Sequence, residues 1–174
     1  MKSSDTRYGG VARAIHWGSA LLVLVLLISG FRSGFAVNPE VKRAALTVHV
    51  PVAGIVLLIT VFRLVWWWRF DAKPAPLGNS PRWQEAAAVW THRALYGLLL
   101  LLLASGIAMS VMSGLPDALF GGAPMPELAE LPPRMGHGFG ARVLVIAVAL
   151  HSGAALFHHL VVKDATLRRM WFSR

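Results

Sequence analysis

An all-α transmembrane four-helix bundle with both termini on the cytoplasmic side is the fold this sequence predicts, on three observations. Hydrophobic residues make up 56% of the chain, charged residues only 14%, and the mean hydropathy is +0.57, well outside the range of water-soluble domains. The apolar residues gather in four runs, each long enough to cross a hydrocarbon core about 30 Å thick. Four spans return the chain to the side it started from, and 12 of the 17 Lys and Arg fall on that side. The other five are Arg32, Lys42, Arg43, Arg134 and Arg142, and this imbalance puts the termini in the cytoplasm. The same pattern accounts for the net charge of +9: the basic residues occupy short segments between spans, which points to a membrane and away from nucleic acid.

At 174 residues the chain reads as one integral membrane domain. A polar, basic start leads into the first span, residues 12–31. That run is too long for a signal peptide, no A-x-A site follows it, and it contains His16. A short connection, RSGFAVNPEVKR, precedes the second span, residues 44–65, with Pro51 expected close to its start, where a missing amide matters least. Pro, Gly and Asn mark the next connection as a loop, and the third span covers residues 86–112. The longest connection, SGLPDALFGGAPMPELAELPPRM, is rich in Pro and Gly and has room for one short helix. The fourth span covers residues 138–162 and runs into a basic tail. All seven tryptophans fall in the cytoplasmic half, as an interfacial belt would place them. No internal repeat stands out.

The chemistry lies in the histidines. The chain has no cysteine, which excludes disulfides, iron–sulfur clusters, thiolate ligands and c-type haem attachment; a metal here is held by imidazole. His137, at the threshold of the fourth span, and His151 within it stand 14 residues apart, a rise of about 21 Å on nearly one helical face. His158 follows on the same ladder about 10.5 Å further on. Depth then matches His49, in the first turns of the second span, with His137 near the outer surface. It likewise matches His16 with His151 near the inner surface. Paired imidazoles from facing helices, without thiolate or carboxylate, suit the two axial positions of haem iron. Small residues nearby (Gly18, Gly54, Gly136, Gly138 and Gly153) allow a macrocycle to approach the backbone. The GHGFG stretch lacks both the preceding strand and the spacing of a nucleotide fingerprint.

Each histidine also has a plainer reading. His16, His92, His158 and His159 lie within a few turns of a membrane surface, where an imidazole can simply hydrate. His49, His137 and His151 are intramembrane ionisable groups, which are functional by default. His92 rivals His16 as the inner partner of His151. Arg63, 14 residues after His49, reaches the inner level, either to pair with a haem propionate or to snorkel to the interface.

Ile15-His16-Trp17 after a basic start, His49 opening the second span, Thr91-His92, His137 with His151, Phe157-His158-His159-Leu160 and a tail beginning Lys163-Asp164 occur here in order. In that ordered set the chain resembles the bacterial cytochrome b561 family of four-helix, di-haem membrane cytochromes, over nearly its whole length. The resemblance implies two non-covalent, bis-histidine haems b, one on His16 and His151 and the other on His49 and His137. It implies a superoxide:ubiquinone oxidoreductase of the bacterial inner membrane, with superoxide oxidised outside and ubiquinone reduced inside, near His158. Imidazole titrates in the working range, so His158 suits a proton donor or hydrogen-bond partner to the quinone. Lys42, Arg43, Arg134 and Arg142 give an anion a positive approach, moderated by Glu127 and Glu130. The alternative is a cytochrome b anchor subunit that relays electrons between a periplasmic protein redox partner and the quinone pool; a third reading is a haem-free membrane protein with interfacial histidines.

Overall fold

The computed structural model describes residues 2–77 and 80–171. Four long helices dominate: α1 (Gly10–Phe35), α2 (Pro39–Arg69), α3 (Arg82–Ser113) and α5 (Pro132–Phe157), with the short α4 (Leu115–Phe120) between the last two. Beyond α5 come one π turn, His158–Val162, and one 3₁₀ turn, Arg168–Met170. All four long helices are apolar enough to cross a membrane, with the fourth candidate span running on to Val162.

The helices reach past the apolar runs because their ends are written in polar residues and prolines. Asn38 accepts a hydrogen bond from the Glu40 amide at 2.8 Å and Pro39 occupies the first turn of α2, a strong start signal. The expected connection over residues 32–43 therefore shrinks to residues 36–38, and Pro51 lies in the interior of α2, not near its start. There it removes a helical hydrogen bond. At the end of α3, Gly114 takes the left-handed conformation (φ 63°) and its N–H bonds to the Ser110 carbonyl, a role glycine fills without a Cβ penalty. A short helix does form in the long connection: α4 buries Leu115, Ala118 and Leu119, and its two leucines Leu115 and Leu119 cluster with Leu46 and Leu128.

The helices pack as two hairpins. α1 lies along α2 and α3 along α5, whereas contact between the two hairpins is sparse. Large apolar side chains such as Leu21, Ile28, Leu58 and Val111 face outward and exposed, and the inward side holds Val56, Leu102, Leu103 and Leu144. That inversion is what a lipid solvent requires: the backbone is satisfied within each helix and the outer surface stays apolar.

The first and last described segments lie together at one end of the bundle, where polar contacts tie three segments together. The Arg169 guanidinium donates to the carbonyls of Thr6 (2.9 Å), Asp5 (3.3 Å) and Ala75 (2.7 Å). The Asp71 carboxylate accepts from the Ser3 amide (3.0 Å) and hydroxyl (2.8 Å) and from Trp66 Nε1 (3.3 Å). Slight burial pushes the Asp71 pKa up, but the bonds from Ser3 and Trp66 outweigh it and hold the carboxyl below its ordinary value. Trp17 Nε1 donates to the Met170 carbonyl at 2.9 Å. Arg169→Ala removes the three-segment tie and should lower the melting temperature of the detergent-solubilised protein by about 2–6 °C. Arg169→Lys, which cannot span three carbonyls, should fall between; circular dichroism melts test both.

Candidate functional site: two imidazole pairs between the hairpins

The gap between the hairpins is bridged by histidines at two levels. At the end away from the termini, His49 of α2 faces His137 of α5, with ring centroids 6.4 Å apart and planes at 70°. At the termini end, His16 of α1 faces His151 of α5 at 6.3 Å and 65°. The fourteen-residue separation on α5 sets the two levels about 21 Å apart.

Hydrogen bonds fix which nitrogens of the outer pair are free. His49 Nδ1 lies 3.1 Å from the Leu26 carbonyl and 3.1 Å from Ser29 Oγ. A carbonyl only accepts, so Nδ1 carries the proton and Nε2 keeps its lone pair. Ser29 spends its own proton on the Val25 carbonyl (2.6 Å) and is free to accept. On the opposite hairpin, Ser105 donates to the Leu102 carbonyl (3.0 Å) and faces His137 Nδ1 at 2.8 Å. The glycine after each serine makes room for the ring: a Cβ on Gly30 would sit 3.0 Å from His49 Cε1, and one on Gly106 would sit 3.4 Å from His137 Cε1. Between the rings and the helices lies a cavity of about 510 Å³, within the 300–1,000 Å³ range of pockets that enclose an organic ligand. Lys42, Arg134 and Arg142 border it, and Leu115 of α4 and Leu128 of the connection after it contribute to its lining.

The inner level is less symmetric. Arg63 Nη2 approaches His16 Nδ1 at 3.2 Å, and its guanidinium lies 5.5 Å from the Tyr96 ring centroid. His92 also reaches His151, with centroids 5.2 Å apart, and its Nδ1 donates to the Ala88 carbonyl at 2.6 Å. His92 is exposed, whereas His16, His49, His137 and His151 are half-buried.

The residues fit a metal macrocycle. Imidazole nitrogens bind a transition metal at about 2.0–2.1 Å, and with each nitrogen about 1.15 Å from its ring centre, trans ligands place their centroids about 6.3–6.5 Å apart. His49–His137 and His16–His151 meet that span at 6.4 and 6.3 Å, and His92–His151 at 5.2 Å is too short for it.

The model of the prokaryotic cytochrome b561 family matches residues 7–173. The chain belongs to the prokaryotic cytochrome b561 family. It is 29% identical to cytochrome b561 homolog 2 of Escherichia coli K12 over 97% of this chain and 93% of that one. It is 35% identical to cytochrome b561 homolog 1 of the same strain, over 90% and 92% of the two chains. A Yersinia pestis protein named probable superoxide oxidase CybB is 30% identical over 94% of this chain and 95% of its own. Membership makes the chain a membrane electron-transfer protein with b-type haem, and its four apolar helices make it a multi-pass protein of the bacterial inner membrane.

In this cytochrome b561 the geometry exposes a spacing that the sequence reading passed over. His16 to Ser29-Gly30 and His92 to Ser105-Gly106 are the same thirteen-residue step, with a Leu-Leu pair three residues before each serine. His49 to Arg63 and His137 to His151 are the same fourteen-residue step. The hairpins α1–α2 and α3–α5 thus repeat one plan, contrary to the expectation of no internal repeat. Under that plan Arg63 corresponds to His151, and the contact of Arg63 with His16 corresponds to that of His151 with His92. The pairs that cross between hairpins are His49–His137 and His16–His151.

His158 opens the π turn. That turn ends on Lys163 in the left-handed region (φ 57°), whose N–H bonds back to the His158 carbonyl. The wind returns Asp164 to the His158 ring, where its carboxylate meets Nδ1 at 2.5 Å. Burial raises the Asp164 pKa, but the bonds from His158 and Thr166 outweigh it and keep the carboxyl below the usual range. Asp164, Gln84 and Val162 line a second cavity of about 420 Å³. His159 is exposed. Of the small residues expected near the rings, Gly54 and Gly138 line the outer cavity, whereas added side chains at Gly18, Gly136 and Gly153 would meet open space. Sequence reasoning missed Ser29, Gly30, Ser105, Gly106, Tyr96 and Asp164. The recurring Ser-Gly step was the available signal for the first four.

Proposed function

We propose that this cytochrome b561 holds two haems b, on His49 with His137 and on His16 with His151, and carries electrons from superoxide on the periplasmic side to ubiquinone on the cytoplasmic side. The observation that carries the reading is the two facing imidazole pairs at two depths, each with room between its rings for a metal ion that both would hold. The relative named as a probable superoxide oxidase supports the choice of donor, and the excess of Lys and Arg at the termini end supports the orientation.

Bound haem supplies one-electron chemistry; the chain supplies the rest. The lone pairs on Nε2 of His49 and His137 are presented inward because the serines hold the opposite nitrogens. Lys42, Arg134 and Arg142 border the outer cavity and favour an anionic donor. Arg63 provides a cation for a propionate at the inner level, and His92 flanks His151 without being the crossing partner. Two superoxide ions lose one electron each and leave as dioxygen. Ubiquinone takes the two electrons and two protons to become the quinol. His158, whose Nδ1 Asp164 engages, hands those protons over from the aqueous side.

Stopped-flow mixing of the oxidised protein with superoxide, followed by transfer to a soluble ubiquinone analogue, tests the reading. Haem that stays oxidised under superoxide would favour a membrane anchor for a periplasmic protein partner instead. His158→Ala should slow quinone reduction about a hundredfold with haem content unchanged. Gly30→Ala should weaken haem binding at the outer level, because the new methyl meets His49 Cε1 at 3.0 Å. Gly106→Ala, with 3.4 Å available, should do so less. Alanine itself favours the helix over glycine by about 1 kcal/mol, so haem loss in either variant reports the ring.

A further inference from the structure

The two imidazole pairs differ in what stands behind them. Behind the outer pair are neutral acceptors: the Leu26 carbonyl and Ser29 Oγ for His49, and Ser105 Oγ for His137. Accepting a ligand's Nδ1–H makes its other nitrogen a stronger electron donor, which favours the oxidised, more positive state of a bound metal. Behind the inner pair is a cation. Arg63 Nη2 stands 3.2 Å from His16 Nδ1 and its guanidinium packs on Tyr96. A guanidinium cannot accept a hydrogen bond and stays charged at any working pH. A positive charge that close, inside a membrane span, disfavours the oxidised state next to it.

The hairpin repeat locates the difference. Ser29 and Ser105 are equivalent under it, so the outer pair is supported alike from both sides. Arg63 and His151 are equivalent under it, so one fixed charge replaces an imidazole on one hairpin alone. Lys42, Arg134 and Arg142 are also positive and border the outer cavity, half-buried or exposed, where an entering anion would meet them; among the described residues the hydrogen-bond partners of His49 and His137 are neutral, whereas Arg63 stands directly on His16 Nδ1.

We propose that Ser29 and Ser105 on one side and Arg63 on the other set a potential step that sends electrons from the outer pair to the inner pair. The proposal rests on the two-haem reading above. In the step, the outer site loses one electron and is oxidised, the inner site gains it and is reduced, and no bond or proton moves. Ser29 and Ser105 are positioning residues, each acting through a histidine, and Arg63 acts through its fixed charge beside His16.

Equilibrium redox titration of the purified holoprotein, followed at the haem α band, tests this directly. Wild type should give two one-electron waves, with the inner site the higher; the wave that survives in His137→Ala identifies the inner site. Ser29→Ala and Ser105→Ala should each raise the outer wave, and Arg63→Gln should lower the inner one. A shift of about 60 mV in either corresponds to a tenfold change in how one electron partitions between the sites. Ser29→Thr keeps the acceptor and Arg63→Lys keeps the charge, so both should restore wild-type waves even if the harsher variants bind haem poorly. Waves that do not move in the serine variants and Arg63→Gln, or an inner site that titrates below the outer in wild type, would overturn the proposal. A pyridine haemochrome assay that finds one haem per chain would overturn the two-haem reading, and the potential step with it.

Discussion

His137→Ala should purify with one haem per chain in place of two, and should lose superoxide oxidation by more than about a hundredfold. The partners that merely support a metal ligand are worth about 10–100-fold in affinity, so loss of the ligand itself exceeds that. His137 bridges to His49 across the sparse contact between hairpins, and the cavity there is lined by apolar side chains that offer iron no other imidazole. The fold should survive, because alanine is the best helix former and the hairpins are held by contacts elsewhere. His49→Ala should give the same result. Haem content by pyridine haemochrome, with helicity by circular dichroism as the control, checks it. An undiminished haem count in both variants would remove these histidines from the site.

At the inner level, His16→Ala and His151→Ala should each cost one haem, whereas His92→Ala should retain two and shift the spectrum of one. Hydrogen bonding alone does not favour His16: the bond from His92 Nδ1 to Ala88 leaves its Nε2 free to bind a metal, whereas Arg63, which can only donate, faces His16 Nδ1. Geometry does. The 6.3 Å between the His16 and His151 rings suits trans ligation and the 5.2 Å between His92 and His151 does not. His92 also shares a hairpin with His151, whereas both pairs that fit the span cross from one hairpin to the other. Haem content and electron paramagnetic resonance of the three variants decide it. Loss of a haem in His92→Ala with retention in His16→Ala would exchange the two residues.

Much of this was legible in the chain. Four apolar runs require four spanning helices because an unpaired backbone is untenable in lipid. The fourteen-residue step from His137 to His151 fixes two depths because helical rise is constant. Topology then matches His49 and His16 to those depths, and the structure places those rings together. The repeat was present too, but its signal is a few residues per helix separated by variable apolar filler, and it becomes visible only when two serines are seen behind two equivalent rings. Helix ends were less legible: hydropathy reports where a chain is apolar, whereas Asn38, Pro39 and Gly114 decide where the helices start and stop.

By itself, then, the sequence carried the fold class and the relative height of each histidine, which follow from composition and a one-dimensional rise along helices, and its ordered motifs carried the resemblance to the family. Only the tertiary structure decided what lies beside each ring at a given height: Ser29 and Gly30 at His49, Arg63 at His16, and ring separations from His151 of 6.3 Å to His16 and 5.2 Å to His92. Those are lateral distances of a few ångströms, set by how the helices and hairpins pack, and no spacing along a single helix contains them.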